Sequence, residues 1–141
     1  MKSIYLTDVT TVRGEAAAWE VQFYSPAKAA QRGYTYSVIE SEGNLHQGVY
    51  PGQKEGASPA AAKTFLVGAV KIDSDAAYKA ALVEAAAYDK KNPGQIISFE
   101  LSKQDFSQNP VWRVIWGESA GTSGELLLID ATTGRYLKTL H

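Results

Sequence analysis

Apolar and polar residues alternate through the first third of the chain, which is typical of strands with one buried face. Trp19, Val21 and Phe23 fall on one face of such a strand. A polar turn at 42–44 separates two of the candidate strands and favours an antiparallel meander. The pattern predicts strands over 4–12, 18–23, 34–39 and 45–50.

The pattern changes after residues 53–59, which collect glycine, serine, proline and charge and indicate a loop and a boundary. Residues 73–75 carry carboxylate and hydroxyl groups that can cap a helix start, and 76–91 is rich in alanine with basic residues at its end. Residues 92–94, Asn-Pro-Gly, end it. A stripe of small and aromatic residues recurs at helical spacing, at Tyr78, Ala81, Leu82, Ala85 and Tyr88.

Three strands are predicted after this helix. The first two each place three large apolar residues on one face, Ile97, Phe99 and Leu101 in one and Trp112, Val114 and Trp116 in the other. The third covers 125–129. A hairpin connection at 117–124 precedes it, and a tight polar turn at 130–134 follows it, before Tyr136. The predicted fold is α+β: an antiparallel sheet, or two related sheets, with the helix over 74–91 packed across one face.

The two parts of the chain follow one plan, as an internal repeat would. The matched positions are Trp19 and Trp112, Gly43 and Gly134, and Ile4 and Ile96, at offsets of 93 (112 − 19), 91 (134 − 43) and 92 (96 − 4). These offsets predict a duplicated unit with halves at 1–56 and 57–141, folded as one compact body. The helix of the first half would then lie before Met1.

The second half resembles the PepSY domain family. The resemblance is carried by Val-Trp-Arg-Val at 111–114, by 125–134 with its closing Asp-Ala-Thr-Thr-Gly, and by the helix entry at 72–77. In that family a helix precedes three antiparallel strands, and the third strand ends in an Asp-Ala-x-Thr-Gly turn. The resemblance spans 72–137 and, more faintly, 4–50.

What the resemblance implies is a cystatin-like layer of helix on sheet, in an extracytoplasmic bacterial module that inhibits or regulates a partner. The PepSY pattern carries no catalytic residues to transfer. The first half departs from the pattern at 39–43, Ile-Glu-Ser-Glu-Gly, where the Asp-Ala-x-Thr entry is missing.

Charge and composition limit the classes of partner that the chain can bind. Fourteen basic and fifteen acidic residues give a net charge of −1, which supplies no field to hold nucleic acid. The apolar runs, such as 64–70, are far shorter than the roughly 20 residues that cross a bilayer. The absence of cysteine excludes disulfides and thiolate chemistry and leaves the compartment open. Because Met1 leads directly into a strand-like run, we expect either a cytoplasmic protein or an exported one whose leader has been removed.

No catalytic, cofactor or metal site is predicted. The histidines His46 and His141 lie beside a turn and at the end of the sequence, which is a poor setting for a nucleophile's base. Asp73 and Asp75 favour helix capping over cation binding, and Asp130 favours accepting turn amides. The glycine-rich 117–124 joins two strands and lacks the lysine of a phosphate loop.

Aromatic side chains are the candidate partner-binding residues: Trp112, Trp116, Tyr136 and Trp19. The competing interpretation is that they pack in the core or between the two repeats. The expected function is a non-enzymatic binding or inhibitory module that docks a protein or peptide on a sheet face or a strand edge. The alternative is a carrier with an apolar pocket between sheet and helix. A hydrolase or metal enzyme is the least favoured class.

Overall fold

A computed structural model describes residues 1–41, 45–58 and 63–141, so the turn predicted at 42–44 lies outside the described residues. The chain forms an eight-stranded antiparallel sheet with one long helix, α1 (Ser74–Lys91). The strands are β1 (Lys2–Ile4), β2 (Ala18–Ser25), β3 (Ala30–Ser37), β4 (Gly48–Gly56), β5 (Ile97–Lys103), β6 (Pro110–Trp116), β7 (Glu125–Asp130) and β8 (Tyr136–Leu140). The predicted α+β class is confirmed. Among the described residues, no helix is long and apolar enough to cross a membrane.

The strand order is β4-β3-β2-β1-β5-β6-β7-β8. Each half of the sequence therefore forms a four-stranded meander, and the antiparallel pairing of β1 with β5, at Lys2 and Glu100, joins the two into one sheet. The open edges are β4 and β8. The predicted halves 1–56 and 57–141 meet at the centre of this sheet.

The central hairpins of the two halves have the same register. Trp19 pairs with Tyr36 between β2 and β3, and Trp112 pairs with Ile129 between β6 and β7, so both partners are shifted by 93 positions (112 − 19 and 129 − 36). The next pairs, Val21 with Tyr34 and Val114 with Leu127, keep this offset. The backbone bond beyond each hairpin keeps it too, because Val38 N–H donates to Ala17 O and Ala131 N–H donates to Pro110 O, both at 2.9 Å.

Helix α1 lies on β6 and β7 through its small-residue stripe. Tyr78, Ala81 and Ala85 are buried against the sheet, and Leu82 and Tyr88 pack beside them, as the spacing predicted. Ala77, which was not part of the predicted stripe, is buried with them. Alanine allows a close approach to the bulky sheet residues beneath, which are Phe99, Leu101, Trp112, Val114, Trp116, Leu127 and Ile129. The predicted Ile97 layer and tryptophan layer thus share the face that the helix covers.

The helix begins and ends where its sequence signals lie. Asp73 is the N-cap and its Oδ1 accepts from the amide of Ala76, while Asn92 ends the helix. We expect Asp73→Ala to lower the free energy of unfolding by about 1 kcal/mol, the usual effect of losing an N-cap. Urea unfolding followed by circular dichroism measures this. Asp75→Asn is the control, because Asp75 makes an exposed ion pair with Lys79; an equal loss in both variants would contradict the capping role.

Three predicted strands, over 4–12, 34–39 and 45–50, have other bounds than expected. The strand over 4–12 is wrong beyond Ile4, because residues 5–17 leave the sheet to contact the helix: Ser74 Oγ donates to Gly14 O, and Arg13 pairs with Asp89 at 2.6 Å. Gly14 has a φ of 101°, and a Cβ there would lie 3.1 Å from the Asp75 Cα. Here tertiary contacts override the β propensity of the sequence.

The strand predicted over 45–50 begins later and extends further, because β4 runs from Gly48 to Gly56. The loop predicted at 53–59 is therefore wrong as far as Gly56, and its residue 59 lies outside the described residues. An edge strand tolerates proline and glycine because one of its sides needs no ladder bonds, and Pro51 and Gly52 lie beside a register shift opposite Gly33. The predicted strand over 34–39 also begins earlier and ends at Ser37. A fourth strand, β8, follows the three predicted after the helix.

Candidate functional site

The structure places Trp112 and Trp116 in the core beneath α1. They are 2% and 0% exposed. Each indole N–H is satisfied internally, Trp112 donating to Ile72 O at 3.0 Å and Trp116 to Asp89 Oδ1 at 2.9 Å. Of the two interpretations of these tryptophans, their placement favours packing.

Trp19 and Tyr136, the other two candidates, lie far apart. Trp19 is half-buried at the junction of the two halves, with its ring 6.1 Å from those of both Phe99 and Trp112. Tyr136 lies on edge strand β8 and its hydroxyl is 2.8 Å from that of Thr139. The four predicted residues therefore do not form one site.

The first half carries a different aromatic surface, on the face of the sheet that α1 covers in the second half. Its members alternate along three neighbouring strands, so they point the same way. They are Trp19, Val21 and Phe23 of β2, Tyr34 and Tyr36 of β3, and Val49 of β4. We call this surface the open face. Phe23, Tyr36 and Val49 are 47%, 42% and 68% exposed, and among the described residues no helix packs over it.

The reverse side of the same strands is more polar, with Glu20, Gln22, Gln31 and Thr35, although Tyr24 and Tyr50 also lie there. A half-sheet with one apolar and one polar face is the pattern of a sheet covered on one side only. In the second half both sides are apolar: Val111, Ile115, Leu126 and Leu128 form a second buried cluster beneath Ala120 and Leu137. The open face thus has the composition of an interior surface.

One end of the open face is basic. Arg32 pairs directly with Lys54 across β3 and β4, at the level of Phe23, and Lys28 lies in the turn before β3. All three line a groove of about 290 Å³ together with Phe23 and Tyr34. Within the described residues none of the three cations has an ion-pair partner. Like charges directly opposite in a sheet are destabilising, so this end favours an anionic group.

A second groove, of about 460 Å³, lies at the other end of the open face. It separates Trp19 from the chain that enters α1, and is lined by Met1, Trp19, Val70, Lys71, Ile72, Asp73, Ser74 and Trp112. The groove therefore lies at the junction of the two halves and meets the open face at Trp19.

The ionisable residues singled out in the sequence have local partners. His46 Nδ1 lies 2.6 Å from Glu40 Oε1, and its ring stacks on Tyr50. The pKa of Glu40 is lowered, first by the Gln47 amide and then by His46. His141 lies 3.7 Å from Glu125. In residues 1–41, 45–58 and 63–141, no group of three or more His, Asp or Glu side chains is placed to hold a metal ion.

Asp130 holds the turn after β7, as predicted. Its Oδ1 accepts from the amides of Thr132 and Thr133 at 2.8 and 2.9 Å, and its Oδ2 accepts from Asn109 Nδ2 at 3.0 Å. Burial acts to raise the pKa of this carboxyl, but the hydrogen bonds outweigh it and the pKa is lowered. The segment 117–124 connects β6 to β7, also as predicted.

Sequence reasoning found Trp19 but missed the rest of the open face as a site. The alternation that places Tyr34 and Tyr36 with Trp19 was readable, since it predicted strands there. The sequence did not show that, within the described residues, no helix covers these side chains. Only the position of α1 shows this. The opposition of Arg32 and Lys54 required the register of the second part of β4, which was predicted as a loop.

Comparison of the chain with protein-family models, with curated proteins and with solved structures finds no match.

Proposed function

We propose that the chain is a non-enzymatic binding module that holds a protein or peptide partner on the open face. The observation that carries the proposal is the uncovered aromatic surface on a half-sheet whose reverse side is more polar. Exposed tyrosine and phenylalanine beside small grooves are typical anchors of protein interfaces, because they bury much area at little cost in side-chain entropy.

The resemblance of 72–137 to PepSY domains supports the same class of function. On this proposal the module is PepSY-like, acts outside the cytoplasm and regulates or inhibits its partner by occupying it. The shared register of the β2–β3 and β6–β7 hairpins supports a duplication of one unit. Among the residues that the structure describes, a helix lies over the hairpin of the second copy and none lies over that of the first.

The open face is a better docking surface than the β4 edge or the interface between α1 and the sheet. Edge strand β4 carries Pro51, which has no amide hydrogen to donate, and Lys54 and Glu55, which hinder the addition of a strand. The interface between α1 and the sheet is filled by the alanine stripe and the buried tryptophans. A carrier pocket in that interface, the alternative function, has no such support.

Site-specific photocrosslinking in source cells tests the proposal. We expect a chain carrying p-benzoylphenylalanine in place of Tyr36 to form an adduct with another polypeptide, because Tyr36 is an exposed member of the open face and lies between Trp19 and Val49. The matched control carries it in place of Thr35, the next residue of β3, which points to the reverse side. Adducts are detected by gel mobility and assigned by mass spectrometry.

Other outcomes overturn the proposal. Equal adducts at both positions, or none at either, would contradict docking on this face. A small apolar molecule that stays bound in native mass spectrometry and blocks the Tyr36 adduct would support the carrier instead. Turnover in a peptidase, esterase or phosphatase screen that is lost in His46→Ala would make the protein an enzyme.

A further inference from the structure

The residues of the β2–β3 hairpin correspond one by one to those of the β6–β7 hairpin, which α1 covers. At the common offset of 93, Trp112, Val114, Leu127 and Ile129 correspond to Trp19, Val21, Tyr34 and Tyr36. The first four are 2% exposed or less because α1 lies on them. The second four present the same shape of surface, a ridge of large residues on two paired strands, without that cover.

From this correspondence, and resting on the proposed function, we infer that the open face binds an amphipathic α-helix of a partner protein, with a stripe of small residues toward the sheet. Small residues are required for the reason that α1 has them: they let a helix lie close above bulky aromatic side chains. Within the described residues, the chain's own long helix is already packed on β6 and β7.

The correspondence also fixes the direction of the bound helix. Helix α1 enters beside Trp112, through Ile72, and ends beside Trp116, through Asp89. The corresponding positions in the first half are Trp19 and Phe23 (112 − 93 and 116 − 93). A helix placed in the same way begins at the groove beside Trp19 and ends at Phe23.

Charge supports this direction. The end at Phe23 is the basic end, where Arg32, Lys54 and Lys28 have no ion-pair partner within the described residues. The C-terminus of a helix carries partial negative charge, which cations stabilise. We therefore expect acidic side chains in the last turn of the partner helix, because their ion pairs with these cations offset their unfavourable interaction with the dipole of their own helix.

Synthetic helices that copy the sequence of α1 test the inference. The probe spans residues 72–92, is capped at both ends and is stapled between positions 79 and 83, which face solvent in α1. Lys90 and Lys91 are replaced by glutamate, so that the last turn is acidic. We expect this probe to bind the full chain and to perturb the Trp19 and Tyr36 resonances.

Three matched changes should weaken binding by about tenfold or more each, the usual effect of losing an interface anchor. They are Tyr36→Ala in the chain, the double change Ala81→Glu and Ala85→Glu in the probe, and restoration of Lys90 and Lys91 in the probe. Thr35→Ala, on the reverse side, should leave affinity unchanged. Arg32→Glu should reverse the preference between the lysine and glutamate probes.

Several results would overturn the inference. One is that the acidic probe does not bind at concentrations up to about 1 mM, because any complex would then be weaker than about 4 kcal/mol. Another is binding that is not weakened when Ala81 and Ala85 of the probe are changed to glutamate. A dimer dispersed by Tyr36→Ala, or a Tyr36 crosslink within one chain, would assign the face to a second copy or to the chain itself. A Tyr36 crosslink to an extended partner segment would overturn the helix and keep the proposed function.

Discussion

Replacing Trp112 by alanine should lower the free energy of unfolding by about 3–5 kcal/mol, because a buried tryptophan leaves both a cavity and lost contacts. Its ring packs against Trp19 and Phe99, and its N–H is the donor to Ile72 O just before the helix. Since domains of this size are stable by about 5–15 kcal/mol, the variant loses a large part of its stability. Urea unfolding with an unchanged m-value measures the loss.

The comparison variants make this result informative about function. Trp19→Ala removes a half-buried ring from the junction and should cost less than half as much, and Tyr136→Ala on the edge strand should change stability little. A Trp112→Ala protein within about 1 kcal/mol of the parent would contradict a core role. If the loss is large, a binding defect in that variant reports unfolding, so binding is tested at Tyr36.

Elements with signals inside their own sequence were predictable. Helix α1 was found within a residue or two because the caps at Asp73 and Asn92 and the alanine stripe are local features. The same holds for β2, for β5 to β7, and for the turn at Asp130, where alternation or an acceptor before turn amides suffices.

Features that depend on distant pairing were not predictable. The strand at Lys2–Ile4 is short because the following loop is held by the helix through Arg13 and Ser74, some sixty or more positions away. The pairing of β1 with β5 gives one sheet where one or two had been expected. Neither the length of β1 nor its pairing with β5 can be predicted from the local sequence pattern, because both depend on contacts with distant segments.

The candidate site shows the same division. The sequence suggested a repeat through three unequal offsets. The two hairpins share the offset of the tryptophans, and it extends to Tyr34 and Tyr36, which no residue match suggested. Burial of Trp112 and exposure of Tyr36 follow from the helix covering one hairpin and not the other. The corresponding tryptophans, Trp19 and Trp112, therefore lie in different environments.

The turns after the two hairpins differ in a way that pH can expose. At Asp130 an ionised carboxylate accepts three hydrogen bonds; at the corresponding Ser37 (130 − 93), a neutral hydroxyl accepts from the amide of Ile39 and donates to its carbonyl oxygen. Both side chains are buried. The two turns thus perform the same task with groups that respond differently to acid.

We expect Asp130→Ala to cost about 2–3 kcal/mol at pH 7, because hydrogen bonds to a charged group are strong and their donors are left unpaired. Since the pKa of Asp130 is lowered on folding, its contribution is present above the unfolded value of about 3.9 and is lost as pH falls through the folded pKa. The difference in the free energy of unfolding between parent and variant should therefore become smaller below about pH 4. Urea unfolding at pH 7 and pH 3 measures it.

Ser37→Ala provides the matched comparison, since its loss should be the same at both pH values. Asp105→Ala is the control for a carboxyl in an exposed ion pair, with Lys63, and should change stability by less than about 0.5 kcal/mol. A gap for Asp130→Ala that is unchanged at pH 3 would mean that the carboxylate charge adds nothing to the turn. In that case the aspartate would act as the serine does, and the turn in the second half would have no electrostatic advantage over the turn in the first.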